Sequence, residues 1–390
     1  MAFNAEIVRN IQTKFIEKFN AKPKLYQAPG RINLIGEHTD YNDGFVLPAA
    51  IDKAIYLGVA KNNNHILRLY SLDYKETFEI NMNELHKTDV HWANYLIGVC
   101  AQFQKKGFKP EGLDCVFGGD IPLGAGLSSS AALECGFAVC LNDQFGFKVK
   151  NAELIRMAQK AEHEYAGVMC GIMDQFASTY GKEGHVMKLD CRSLEYEYFP
   201  LTNDVADIIL CDTKVSHSLA SSEYNIRRSE CEKGVEILKK IYPEVKALRD
   251  ATPEMLEDVR ENMPENVYRR SHYVIHEVIR VENACQALVQ DDFVTFGRLM
   301  FETHNGLSKE YLVSCKELDI LAEIAHQDSN VLGARMMGGG FGGCTINLIR
   351  KGGADAFAEK VIEEYPGQTG IQPEIYRVKI SDGAGLIKPV

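Results

Sequence analysis

Apolar residues at Ile7, Ile11, Phe15, Ile16 and Phe19 fall at helical spacing, so an amphipathic helix is predicted at the N-terminus. Its interspersed charges exclude the apolar core of a signal peptide. Short β-rich runs follow at 24–27, 54–60, 65–70 and 77–80, then helical patterns at 93–105, 129–143 and 152–165. The second half is more helical, with long candidates at 218–240, 267–289 and 292–311. Strand patterns return at 335–337, 345–350 and 374–380. Runs of strands followed by runs of helices predict an α+β fold rather than a doubly wound parallel sheet. With 390 residues, 45% of them hydrophobic, the chain is long enough for two cores, since single cores stop growing at roughly 250–300 residues. We divide it into 1–190 and 191–390, the boundary falling within 185–205 around Pro200.

Composition narrows the function classes. The formal charge is -11 and no long Lys/Arg block occurs, which argues against nucleic acid as a partner but leaves room for a locally positive pocket. No apolar run reaches the roughly 18 residues of a membrane span, so a soluble protein with no membrane partner is expected. The 11 cysteines are scattered singly from Cys100 to Cys344 without a C-x-x-C pair. That pattern fits reduced thiols in the cytoplasm better than a disulfide framework or a zinc cage.

Three segments carry candidate chemistry. Residues 29–42 crowd Arg31, Glu37, His38, Thr39 and Asp40 between two glycines without helical periodicity. A loop of this kind suits a polyhydroxylated ligand, because carboxylates accept hydroxyl hydrogen bonds strongly. A solvated turn or a carboxylate–histidine metal site reads equally from these residues alone. Residues 122–132 form a Gly-rich turn, with Gly124, Ala125, Gly126, Leu127 and Ser128 leading into Ser129 and Ser130 at a helix start. Helix N-termini offer free N–H groups and a partial positive charge to phosphates, although a serine N-cap is the plainer role. The pattern is neither GxxxxGK[ST] nor GxGxxG. Residues 338–343 hold five glycines in six positions, a backbone-lined loop or a flexible hairpin. Between the last two, Glu162 ends one helical stretch and Asp174 opens another, two carboxylates available for metal and for proton transfer. Asp174 also reads as a helix N-cap.

Taken together and in this order, the segments resemble the GHMP family of small-molecule kinases, whose phosphate loop is of the PLGAGLSSSAA type. The stretch GRINLIGEHTDYNDGFVLP is similar to the sugar signature of the galactokinase branch, and GIMDQF at 171–176 and MGGGFGG at 337–343 agree with it. The resemblance covers 24–350 and implies a mixed-sheet N-terminal domain and a helix-rich α+β C-terminal domain with the active site between them. It implies phosphate transfer from ATP to the anomeric hydroxyl of galactose, the first committed step of galactose catabolism by the Leloir pathway. It assigns Glu37, His38, Thr39, Asp40, Gly171 and Tyr224 to the sugar, and Ser71 with 124–130 to ATP. Ser130 and Glu162 become ligands of Mg²⁺, and Asp174 and Arg31 the catalytic pair. Trp92, the single tryptophan, would line the adenine pocket. His38 also reads as a structural histidine, and Tyr224 as core. The competing readings are a kinase for a neighbouring sugar, a non-catalytic sugar sensor and an unrelated sugar-binding module. A monomer is expected.

Overall fold

The computed structural model describes residues 3–388 apart from Leu123, Asn203 and 216–219. The first helix, α1 (Ala5–Phe19), is capped by the Asn4 side chain, which accepts the Ile7 N–H. It buries Val8, Ile11 and Phe15, while Ile16 is 52% exposed, so the apolar stripe is narrower than its spacing suggests. Strands β1 (Lys24–Asn33), β2 (Phe45–Val46), β3 (Pro48–Lys61), β4 (Ile66–Ser71) and β5 (Glu76–Asn81) follow, then α2 (His91–Lys105) and β6 (Leu113–Gly119). β1 runs further than expected and takes in Gly30 to Asn33, so Arg31 projects from a strand rather than a loop. Three helices follow: α3 (Ser129–Phe145), α4 (Asn151–Ala161) and α5 (Met173–Tyr180).

The first half ends with β7 (His185–Asp190), and the second contributes β8 (Tyr196–Pro200), β9 (Ala206–Asp212), α6 (Ala220–Leu238), α7 (Pro253–Asp258), α8 (Glu265–Val289), α9 (Phe293–Gly306) and α10 (Lys316–His326). It ends with β10 (Val331–Met336), β11 (Cys344–Arg350), α11 (Ala354–Thr369), β12 (Glu374–Val378) and β13 (Gly385–Leu386). The predicted helix at 218–240 begins at Ala220, and its residues 218–219 lie outside the described residues.

The strands form a six-stranded mixed sheet in the order β13-β1-β3-β6-β4-β5, a four-stranded sheet β10-β11-β9-β12, and a small sheet β2-β7-β8. The first sheet is antiparallel except for the β4–β6 pair. This is the expected α+β class. The chain's last strand returns to the first sheet, where β13 pairs with β1. The residues just before it fill an irregularity in β3: Asp52 N–H donates to Lys379 O and Ser381 N–H to Ala50 O (each 2.9 Å). All eleven cysteines are free. Among the described residues no helix is long and apolar enough to cross a membrane.

Helix α9 lies against β10 backbone to backbone. A methyl group placed on Gly297 would stand 1.9 Å from the Leu332 carbonyl oxygen, and one on Gly333 would stand 2.4 Å from the Gly297 Cα. Backbone has no rotamer with which to yield. Overpacking of this kind costs about 1–3 kcal/mol, occasionally more. Gly297→Ala is therefore expected to lower the thermal midpoint measured by circular dichroism, whereas Gly367→Ala, with open space at that position, is not.

Candidate active site

A cavity of about 240 Å³ opens where the two halves meet, lined by Arg31, Glu37, His38, Asp40, Glu162, Gly171, Asp174, Tyr224 and the backbone of Gly338 and Gly339, among others. Its floor is β1. The Arg31 guanidinium, 4% exposed, reaches from that strand to α5 and donates to Asp174 from Nε (2.7 Å) and Nη2 (3.1 Å). Its Nη1 donates to the Gly126 carbonyl (2.6 Å), so one planar fork joins the sugar signature, the helix carrying Asp174 and the Gly-rich turn.

That turn enters α3 through Ser128, which sits at φ +58° in the left-handed region. Its hydroxyl makes no cap bond and instead donates to Asp174 Oδ2, which corrects the N-cap reading. Asp174 lies in the first turn of α5 rather than at its N-cap, which is Ile172. Ser130, two residues on from Ser128, donates to Glu162 Oε1 (3.1 Å). The second Gly-rich loop packs on the first: Gly338 approaches Gly126, and Gly343 approaches Ala125. Ala125 and Leu127 are buried in the core, so this turn meets the cleft with backbone and serine hydroxyls.

The signature loop folds as a tight turn. Asp40 Oδ1 accepts the Tyr41 N–H (2.9 Å), and its carboxylate lies against Gly171, where any Cβ would stand 1.6 Å from Oδ2. A larger residue there would displace the Asp40 carboxylate. Glu37 Oε2 accepts from Arg335 Nη1 (2.8 Å) and from Gly338 N–H (3.0 Å). His38 is buried at φ +62°, with Nδ1 2.7 Å from the Tyr41 hydroxyl, and its Nε2 makes no well-formed hydrogen bond among the described residues. Tyr224 borders the cavity from α6, its ring centroid 5.5 Å from that of His38, rather than lying in the core. The Thr39 hydroxyl faces inward and is shared between the carbonyls of Gly36 (2.9 Å) and Phe45 (2.6 Å). Ser71 is fully buried and accepts the Tyr74 N–H (3.3 Å), away from the cavity lining. Trp92 donates to Glu76 Oε2 (3.0 Å) and stacks with Tyr74.

Several residues that sequence reasoning passed over hold this arrangement. Arg335, fully buried, donates to the Leu34 and Asn33 carbonyls as well as to Glu37. Glu277 accepts the Gly36 N–H (2.8 Å), and Tyr273 donates to Glu37 O (3.0 Å). Gln175 donates to Glu162 Oε2 (2.8 Å). Glu134 lies one turn beyond Ser130 on α3, fully buried, with neither carboxyl oxygen bonded among the described residues. A lone Arg inside the run GARMMGGG was the one available signal for Arg335.

The electrostatics are those of crowded acids. Burial, and then the Asp174 carboxylate, raise Asp40 to about 7 and push Glu162 up. Burial, and then Glu162, push Glu134 well up. Burial holds His38 down at about 4. A cluster whose ionised form is disfavoured by burial and mutual repulsion is one that a divalent cation would relieve, and Ser130 and Glu162 offer it hard oxygen donors. Among the described residues no group of three or more His, Cys, Asp or Glu could hold an ion unaided. A cation there needs phosphate oxygens and water to complete its shell.

The chain matches three family models: the galactokinase galactose-binding signature over 13–61, the GHMP kinase N-terminal domain over 94–182 and the GHMP kinase C-terminal domain over 284–367. It is 42% identical to the galactokinase of Thermotoga maritima, covering 93% of this chain and 99% of that one. It is 38% identical to the galactokinase of Clostridium beijerinckii, covering 98% and 99%. The crystal structure of Lactococcus lactis galactokinase complexed with galactose superposes with a TM-score of 0.93 at 33% identity, over 96% of this chain and 98% of that one.

Asp40 supplies a pH test. A carboxyl raised in the folded state favours folding below its unfolded value near 3.9, and that contribution is lost as pH rises toward 7. His38 acts in the other direction, destabilising the fold as pH falls from about 6.5 toward 4. Asp40→Asn removes only the first effect. The variant is expected to melt higher than the wild type at pH 8, with the gap closing toward pH 4, in thermal scans without ligand.

Proposed function

The chain belongs to the galactokinase family of GHMP kinases, and on that premise we propose that it moves the γ-phosphate of ATP onto the anomeric hydroxyl of galactose. The products are galactose 1-phosphate and ADP, and the step opens galactose catabolism by the Leloir pathway. The observation that carries this reading is Asp174, which touches the sugar cavity on one side and, through Ser128 and the shared Arg31, the Gly-rich turn on the other. An acceptor hydroxyl seated in the cavity therefore meets Asp174 next to the place where phosphates would dock.

Each group has a physical task in this reading. Glu37, His38, Asp40, the Gly171 backbone and Tyr224 bind the sugar, while Thr39 keeps their turn closed. The turn 124–130 and the N-terminus of α3 cradle the phosphates with backbone N–H groups and serine hydroxyls. Ser71 shapes the Tyr74 turn beside Trp92, on the side assigned to the nucleotide. Asp174 accepts the hydrogen of the anomeric hydroxyl and orients it for in-line attack. Arg31 keeps Asp174 in place, and its charge acts through space on the transferring phosphoryl group. Ser130 and Glu162 would hold Mg²⁺, which when bound neutralises charge on the β- and γ-phosphates. The free thiols suit a reducing cytoplasm.

The direct test is purified protein with ATP, Mg²⁺ and a panel of sugars, following ADP release. Galactose is expected to be used efficiently, glucose hardly at all and N-acetylgalactosamine weakly, because a buried site leaves polar groups unpaired against the wrong epimer. Asp174→Asn should cut turnover by about 10²–10⁴-fold while galactose binding by calorimetry survives. Glu162→Ala should shift the magnesium dependence of the rate to much higher concentration and leave nucleotide-free galactose binding unchanged. A magnesium titration superimposing on the wild type would remove Glu162 from the metal site.

A further inference from the structure

His38 is joined to a line of side chains that leads away from the cleft. Its Nδ1 lies 2.7 Å from the Tyr41 hydroxyl, which lies 2.7 Å from the Tyr311 hydroxyl, which lies 3.1 Å from Cys231 Sγ. The line crosses from the signature turn to the end of the wide helical turn Leu307–Tyr311 and then to α6. Tyr311 and Cys231 are buried and lie outside the cavity lining; the Tyr311 hydroxyl meets only Tyr41 and Cys231, and the Cys231 sulfur also faces the Asn42 side chain. At the cleft end, His38 Nε2 is buried and makes no well-formed hydrogen bond, the Gly339 backbone being the polar group of the second Gly-rich loop that faces the ring. Because burial keeps the ring neutral at physiological pH, it carries one N–H, and the two nitrogens have opposite hydrogen-bonding roles.

We propose that Tyr41, Tyr311 and Cys231 are positioning residues that fix His38 as the Nε2–H tautomer, so that it faces the cleft as a hydrogen-bond donor. The direction follows from donor and acceptor strength along the line. Imidazole nitrogen is its best neutral acceptor and phenol its best donor, whereas the thiol is weak in both senses. Tyr41 therefore donates to Nδ1, Tyr311 donates to Tyr41, and the Cys231 S–H donates to Tyr311. Each hydroxyl then both donates and accepts, and no stronger donor is spent on sulfur. In the reverse direction the best acceptor on the line would go unused and a phenol would donate to sulfur. A donor at Nε2 complements what surrounds it, since Glu37, Asp40 and Asp174 line the cleft with carboxylates. A ligand hydroxyl that gives its hydrogen to a carboxylate accepts from His38, and each bond strengthens the other. The kinetic consequence rests on the galactose reading above; the tautomer itself does not.

The test uses full-length protein labelled with ¹⁵N-histidine, His38 being identified by the resonances lost in His38→Gln. In the ligand-free wild type, His38 is expected to show an unprotonated Nδ1 and a protonated Nε2. Tyr41→Phe should move it toward a tautomeric mixture and raise the KM for galactose about tenfold, the loss of roughly one hydrogen bond. kcat should stay within about threefold and the KM for ATP should not change. Tyr311→Phe should give the same changes more weakly, and it stands in if Tyr41→Phe does not fold. A protonated Nδ1 in the wild type would overturn the proposal, as would a Tyr41→Phe protein with unchanged spectrum and unchanged KM. The expected spectrum in a protein that phosphorylates no galactose would retain the tautomer and overturn only the sugar reading.

Discussion

The cleft depends on the bidentate contact between Arg31 and Asp174. Four carboxylates, Glu37, Asp40, Glu162 and Asp174, share one small cavity, and without a buried cation they would repel one another and favour protonation. A planar guanidinium suits this position because its donors are fixed in direction: two meet Asp174 and a third meets the Gly126 carbonyl. A lysine would supply the charge without the geometry. The same fork sets the distance between the acceptor side of the cleft and the turn assigned to phosphate, which is the quantity phosphoryl transfer is most sensitive to.

The signature loop, although it belongs to the first half of the chain, takes its shape from the second. Arg335, on β10, ends three donor bonds on Asn33, Leu34 and Glu37. Glu277 and Tyr273, on α8, hold the backbone of Gly36 and Glu37. Removing one member of such a buried pair leaves its partner charged and desolvated, so these residues act on sugar recognition without touching the sugar. His38 in its left-handed conformation is tolerated because these anchors over-determine the turn.

The sequence made the chemistry more legible than the geometry. Segments with unusual composition identified the Gly-rich loops, Glu162 and Asp174 directly. Helix periodicity found α1 to α4, α6, α8 and α9 but passed over α10 and α11, and it did not register the two wide turns, Glu162–Ala166 and Leu307–Tyr311, where the spacing of hydrogen bonds changes while the apolar pattern continues. There the sequence predicts unbroken helices at 152–165 and 292–311, and the structure instead turns Glu162 and Tyr311 toward their partners. The hydroxyls of Thr39 and Ser71 show a different limit. A hydroxyl in a polar segment looks free in sequence, but whether it faces a ligand or a carbonyl is decided by backbone conformation. Arg335 and Glu277 are illegible because their partners, Glu37 and Gly36, lie far away in the chain.

The return of the chain's last strand to the first sheet bears on synthesis. Lys379 N–H is bonded to Asp52 Oδ1 across 327 positions of sequence, and Ser381 Oγ to Ile51 O across 330. On the ribosome, β1 and β3 therefore emerge long before the segment that fills the irregularity between them and covers the free side of β1. Until then the edge of β1 at Tyr26 and Gln27 is unpaired, and the sugar signature lacks its anchors from α8 and β10.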